Sequence, residues 1–229
     1  MKKKVLVVAA HPDDEVLGCG GAILRHTDNG DEVSVIFLAD GVTSRIGNNN
    51  LMVGARMQAA INACDILGTR HPQFFEFPDN RLDALPLLDI VKKLECAIDV
   101  IKPEVIYTHH SGDLNIDHKI THQAVITASR PQPECTVREI YSFEVLSSTE
   151  WSTPSSASFF IPNKFIDISL TLDRKLYALE AYNYEMHDFP HSRSIESVKV
   201  LAKYRGSSMG MMAAEAFKVE RILNQGKYL

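Results

Sequence analysis

No apolar run in this chain approaches the ~18 residues a membrane-spanning helix needs, and no CxxC pair occurs among its four cysteines. Cys19, Cys64, Cys96 and Cys135 lie far apart, which fits reduced, partly buried thiols rather than a disulfide framework. Basic charge is scarce as well. The net charge is −5, and Lys2-Lys3-Lys4 is the only basic block, so a nucleic-acid partner is not expected. Those lysines precede apolar residues, as in a signal peptide. The apolar run stops at Ala10, however, short of the roughly 7–15 residues of an exported segment, and passes directly into acidic residues. A cytoplasmic location is expected. Repeats and low-complexity tracts are missing too, and nothing divides the 229 residues. One domain over 1–229 is the expectation, large enough to bury about 70% of the surface its unfolded form exposes.

What the chain does contain is alternation. β-branched runs at Val5–Ala10, Val33–Leu38, Phe74–Phe77, Val105–Thr108 and Ile140–Val145 are separated by helical patterns at Val16–Thr27, Leu51–Leu67, Leu87–Ile101 and Asp117–Ser129. Continuous apolar strands separated by helices predict an α/β fold, with a mostly parallel sheet covered by helices on both faces. Gly30 and Gly68 stand at helix C-caps, and Pro103 follows the helix ending near Ile101. The last third is less regular. Ser147–Ser158, with the single tryptophan Trp151, reads as a polar, flexible loop. Phe165–Ile168 reads as a strand, Leu172–Tyr182 and Ser194–Tyr204 as helices, and Phe217–Ile222 as a short strand. Glu215 is expected to pair with Arg193 or Arg205.

The chemistry begins where the first strand ends. His11-Pro12-Asp13-Asp14-Glu15 occupies the strand-to-helix turn, where a dinucleotide-binding fold places glycines and a pyrophosphate. At ~4 Å each carboxylate costs a phosphate about 1 kcal/mol in water and several times that when partly buried. A cation is favoured instead. An imidazole beside carboxylates suits zinc or another first-row divalent metal better than magnesium. Catalytic zinc takes about three protein ligands and keeps one position open, so His11 and Asp14 need a third.

The richest source is Thr108-His109-His110-Ser111-Gly112-Asp113-Leu114-Asn115-Ile116-Asp117-His118, directly after the strand Val105–Thr108. In a doubly wound sheet that strand neighbours the first across the switch point, where ligands bind. His109, His110, His118 and His122 all compete for the third place, and spacing alone leaves them open. Asp117 is placed to orient a site histidine or a water.

At these residues the sequence resembles the PIG-L (LmbE-like) family of zinc-dependent de-N-acetylases. Ala10–Glu15 matches its AHPDDE turn without change, and Asp117-His118 matches the end of its second motif. Weaker similarity continues through Arg56, Asp79, His191-Ser192-Arg193-Ser194, Arg205-Gly206 and Glu215-Ala216-Phe217. The resemblance implies a Rossmann-like domain and hydrolysis of an N-acetylated amino sugar or sugar conjugate, with acetate as product. It also hints at a homo-oligomer. It makes His11, Asp14 and His118 the ligands of Zn2+ and Asp13 the general base, with Arg56 and Asp79 at substrate-binding positions. Arg193 is a further candidate for the substrate pocket.

Two positions depart from the family pattern. Asn115 stands where a histidine is usual, and an amide donates a hydrogen bond but shuttles no proton. Asn115 or His110 is then left to polarise the carbonyl, and His110 or Asp13 to protonate the leaving amine. Ala59 stands where relatives carry a glutamate one turn after the arginine. A zinc amidase for a non-sugar amide and a non-catalytic metal- or sugar-binding relative are the competing readings. A magnesium-binding phospho-acceptor domain shares the acidic pair but lacks the histidines.

Overall fold

The structure, a computed structural model, describes residues 2–44, 50–155 and 159–224. Its centre is β1 (Lys4–Ala9), whose residues from Val5 onward are all buried. Fully burying one such valine or leucine contributes ~1.5–3 kcal/mol relative to leaving it exposed, which places this strand mid-sheet. β2 (Glu32–Ala39), β3 (Gln73–Phe77), β4 (Val105–His109) and β5 (Glu139–Phe143) run parallel with it. β7 (Ala214–Ile222) pairs antiparallel with β5, and β6 (Lys164–Asp167) closes the edge antiparallel to β7. The order is β3-β2-β1-β4-β5-β7-β6.

Alternation along β1 explains the layers, because successive side chains of a strand point to opposite faces. Val5, Val7 and Ala9 join a core with α1 (Asp14–Asp28), α2 (Asn50–Leu67) and α5 (Leu172–Glu180). Leu6 and Val8 join a second core with α3 (Leu87–Ile101) and α4 (Ile116–Ala128) on the other face. α6 (Ile195–Ser207) packs against β7. The mostly parallel sheet with helices on both faces is the one the sequence predicts. No helix among the described residues is long and apolar enough to cross a membrane.

The small residues after the acidic turn have a packing role. A Cβ on Gly18 would lie 2.2 Å from the Phe143 ring, and one on Gly21 would lie 2.6 Å from Ile168. α1 kinks at Cys19 (φ −147°), which frees backbone N–H groups within it. Glu215 accepts two of them, from Gly21 at 2.8 Å and Ala22 at 2.7 Å. The ionic partner of Glu215 differs from expectation: it is Lys175, at 2.6 Å. Arg205 pairs with Glu144 instead, and Arg193 reaches Asp13. β7 starts at Ala214 rather than Phe217, because alanine and an inward glutamate carry no strand signal.

The stretch expected to be a flexible loop, 147–158, is described to residue 155 only, and its first part is tightly bonded. The Glu150 carboxylate accepts the Ser147 N–H at 2.6 Å and the Ser148 N–H at 3.3 Å, and the Thr149 hydroxyl accepts the Val145 N–H at 2.8 Å.

Candidate metal centre and active-site cleft

β1 and β4 are neighbours, so their carboxyl ends bring residues 11–14 and 109–118 to one place. The turn between His11 and Asp14 is strained. Asp13 has φ 107°, a conformation that costs of order 1–3 kcal/mol for a residue with a side chain. The surroundings hold it there: its N–H donates to the Glu15 carboxyl at 3.0 Å, and its carboxylate meets two arginines. Burial pushes Glu15, which also accepts from the Tyr182 hydroxyl, up to about 8. It therefore adds little negative charge at neutral pH. The bend sends Asp13 and Asp14 in different directions.

Asp14 turns toward the histidines. Its Oδ2 lies 3.5 Å from His11 Nδ1 and 3.3 Å from His118 Nε2. The donor atoms of His11, Asp14 and His118 all lie within 4.8 Å of one another, all buried. The far nitrogen of each ring is held by carboxylates. His11 Nε2 faces Asp117 at 3.0 Å and Asp79 at 3.2 Å, and His118 Nδ1 faces Asp113 at 3.1 Å. Such backing fixes ring orientation and raises basicity in metal-binding histidines. Burial alone would lower the His118 imidazole, but Asp14 and Asp113 overrule it and hold it at about 9. Two imidazoles and one carboxylate, backed in this way, fit a first-row divalent cation with a coordination place left open.

His11, Asp79 and Asp117 form a second acid–histidine group. Its carboxylates are already committed, since Asp117 accepts from the Asn80 N–H at 2.7 Å and the Leu82 N–H at 3.0 Å, and Asp79 from the Ser44 N–H at 3.2 Å. They orient His11. The other histidines are engaged elsewhere. His109, the last residue of β4, lies 3.4 Å from Asp14, but its Nε2 accepts the Ala10 N–H at 2.8 Å and its ring stacks on His118. His122 Nδ1 bonds the His109 carbonyl at 2.8 Å.

Apart from His109, His110, His122 and Asp117, every candidate site residue lines one cleft of about 130 Å3. Asp117 lies behind His11, and His110 packs edge-on against Phe160. Asn115 caps α4, accepting the Asp117 N–H at 2.8 Å while donating to Asn80 at 3.1 Å. Arg56 Nη2 donates to the Pro12 carbonyl at 2.6 Å and lies 3.2 Å from Asp13 Oδ2. Arg193 Nη1 reaches the same Oδ2 at 2.9 Å, its Nε held by Ser147 at 2.8 Å. The other oxygen, Asp13 Oδ1, is buried with no hydrogen-bond partner among the described residues.

Two contributors were not read from the sequence. Glu185, beyond α5, forms the ion pair with Arg56 Nη1, so the carboxylate missing at Ala59 comes from a distant segment. The signal was the alanine itself. Asp113 backs His118 and binds Ser148 and Thr149; it stood in view among the histidines of the second motif.

The profile described as PIG-L: GlcNAc-PI de-N-acetylase matches residues 6–129. The chain belongs to the PIG-L family. This PIG-L chain is 30% identical over 172 residues to the uncharacterized deacetylase YaiS of Escherichia coli, covering 72% of this chain and 81% of YaiS. It is 28% identical over 192 residues to a probable N-acetyl-alpha-D-glucosaminyl L-malate deacetylase 2 of Bacillus cereus, covering 80% and 83%. Among solved structures, an N,N'-diacetylchitobiose deacetylase from Pyrococcus horikoshii superposes with TM-score 0.78 at 20% identity, over 96% of this chain and 84% of that one. A 4-oxalmesaconate hydratase of Pseudomonas putida also matches, 27% identical over 206 residues, covering 81% and 75%. PIG-L membership therefore does not by itself fix the reaction.

Proposed function

We propose that the chain is a zinc-dependent N-deacetylase, acting in the cytoplasm on an N-acetylated amino sugar or sugar conjugate and releasing acetate. The observation that carries the reading is one cleft in which a carboxylate-backed His–Asp–His group stands beside a buried aspartate oxygen with no partner among the described residues. His11, Asp14 and His118 would hold the zinc. When bound there, zinc supplies Lewis acidity, lowering the pKa of a water towards ~7 and polarising the amide carbonyl.

The protein's own groups do the rest. Arg56 and Arg193 fix Asp13 Oδ2, leaving Oδ1 to take the proton of the attacking water. As the C–N bond breaks, the same oxygen delivers the proton to the departing amine. This transfer is assigned to Asp13 rather than His110, which does not line the cleft. Asn115 offers an amide hydrogen to the developing oxyanion, Asp117 and Asp79 keep His11 in its working tautomer, and Arg56, placed by the resemblance at a substrate-binding position, acts here through Asp13.

The test is metal analysis of the purified protein, together with acetate release from a panel of N-acetylated amino sugars and their conjugates. Zinc near one equivalent with acetate release is the expected result. Zinc with no release from any sugar moves the reading to another amide. The match to a hydratase makes hydration of an unsaturated carboxylate without acetate the outcome that would replace hydrolysis altogether.

Asp113→Ala strips the carboxylate from behind His118 without touching a ligand. Metal affinity is expected to fall about 10–100-fold, measured by competition with a chromophoric chelator. Unchanged affinity would mean that Ser148 and Thr149 orient the ring through other contacts.

A further inference from the structure

We propose that the buried turn Tyr182–Glu185, which follows α5, is a positioning element for the general base: through Glu15 and Arg56 it grips the one peptide that sets the conformation of Asp13. This rests on the deacetylase reading above. Asp13 has φ 107°. Because φ is the torsion about the bond from the peptide nitrogen to Cα, the orientation of the Pro12–Asp13 peptide decides it. That peptide is bonded at both polar ends. Its carbonyl accepts from Arg56 Nη2 at 2.6 Å, and its N–H donates to Glu15 Oε2 at 3.0 Å.

Both of those side chains are held from the same turn. The Tyr182 hydroxyl donates to Glu15 Oε1 at 2.7 Å, and Glu185 forms the ion pair with Arg56 Nη1. The Tyr182 ring also lies 5.9 Å from the Arg56 guanidinium carbon. The Glu185 N–H closes the turn by donating to the Tyr182 carbonyl at 2.8 Å. Tyr182 and Glu185 are buried in this way, while Tyr184 between them is 90% exposed.

A buried tyrosine hydroxyl ordinarily finds a partner, and so does a buried charge. What distinguishes this turn from simple packing is that its two routes, through separate helices, end on the two ends of one strained peptide. With both ends bonded, the peptide is kept from flipping to give Asp13 the negative φ that residues with a side chain prefer. A catalytic group misplaced by about 1 Å can cost roughly 100-fold in rate. The grip therefore bears on turnover, and substrate binding is left alone.

Three zinc-loaded variants test this. Tyr182→Phe and Glu185→Ala are each expected to lower kcat for acetate release by about 10–100-fold, with KM and zinc content held. Adding Ala59→Glu to Glu185→Ala supplies a carboxylate one helical turn from Arg56, at a position lining the same hollow as Glu185, and should restore most of the loss. The same addition should do nothing for Tyr182→Phe. In crystals of Glu185→Ala the Arg56 guanidinium should leave the Pro12 carbonyl, and in the double variant it should return. Unchanged kcat in both single variants, with the Pro12–Asp13 peptide unmoved, refutes the positioning role. A fall in kcat that Ala59→Glu does not repair, matched by a fall in thermal unfolding temperature, also refutes it and leaves the turn as packing. No acetate from the unsubstituted protein on any N-acetylated sugar overturns the deacetylase reading instead, and the crystal comparison still decides whether the turn holds the peptide.

Discussion

Asp13→Asn is expected to lower the rate of acetate release by about 10²–10⁴-fold, the usual contribution of a positioned general base, with zinc content unchanged. The substitution isolates chemistry from structure. Asparagine matches aspartate in size and is among the residues that best tolerate a positive φ, so the turn at φ 107° is retained. Its oxygen still accepts from Arg56 and Arg193, which lie 3.2 and 2.9 Å from Oδ2. What disappears is an oxygen able to receive a proton. His118→Ala is the contrast, because it removes a ligand, and activity and zinc should be lost together. The two variants, compared by acetate release, metal content and thermal unfolding, separate the base from the ligand. Near-normal turnover in metal-loaded Asp13→Asn would remove the assignment and return His110 to consideration.

The convergence of His11, Asp14 and His118 was largely legible in the sequence because local pattern and topology agree. Val5–Ala10 and Val105–Thr108 read as buried parallel strands, and adjacency of the two delivers His11, Asp14 and His118 to one point. The choice of His118 over His109, His110 and His122 was not legible from spacing. It depends on which nitrogen is already occupied, and His109 is excluded by a single backbone N–H at Ala10. Partners brought together by the fold were the least legible. The pairing of Arg56 with Glu185 joins α2 to the segment after α5, and no periodicity connects them. The antiparallel edge of β6 and β7 was only half visible, because Ala214–Ala216 carries no β-branched residue. The firmness of the turn at 147–151 comes from side-chain bonds, whereas its serines and threonines alone suggest a mobile loop.

Glu215 shows most plainly how a tertiary partner escapes sequence reading, and it leads to the second large effect. Lys175→Met is expected to destabilise the protein by about 3–5 kcal/mol, the cost of leaving a buried charge without its partner. For a chain of this size that lowers Tm by roughly 6–20 °C. Lys175 and Glu215 are both buried, and the ammonium donates to Glu215 at 2.6 Å and to the Leu17 carbonyl at 2.9 Å. Glu215 would still cap Gly21 and Ala22 at the kink of α1, but its charge would be opposed only by two N–H dipoles. Adding Glu215→Gln to Lys175→Met should restore part of the loss, since an amide oxygen still accepts from the kink and no buried charge remains. The double-mutant cycle measures the coupling directly. If the two changes are additive, the kink is held by Glu215 hydrogen bonding alone, and the lysine contributes only its packed stem. A recovery of 1 kcal/mol or more makes the ion pair the element that fixes α1, the helix whose first turn carries Asp14, against β7.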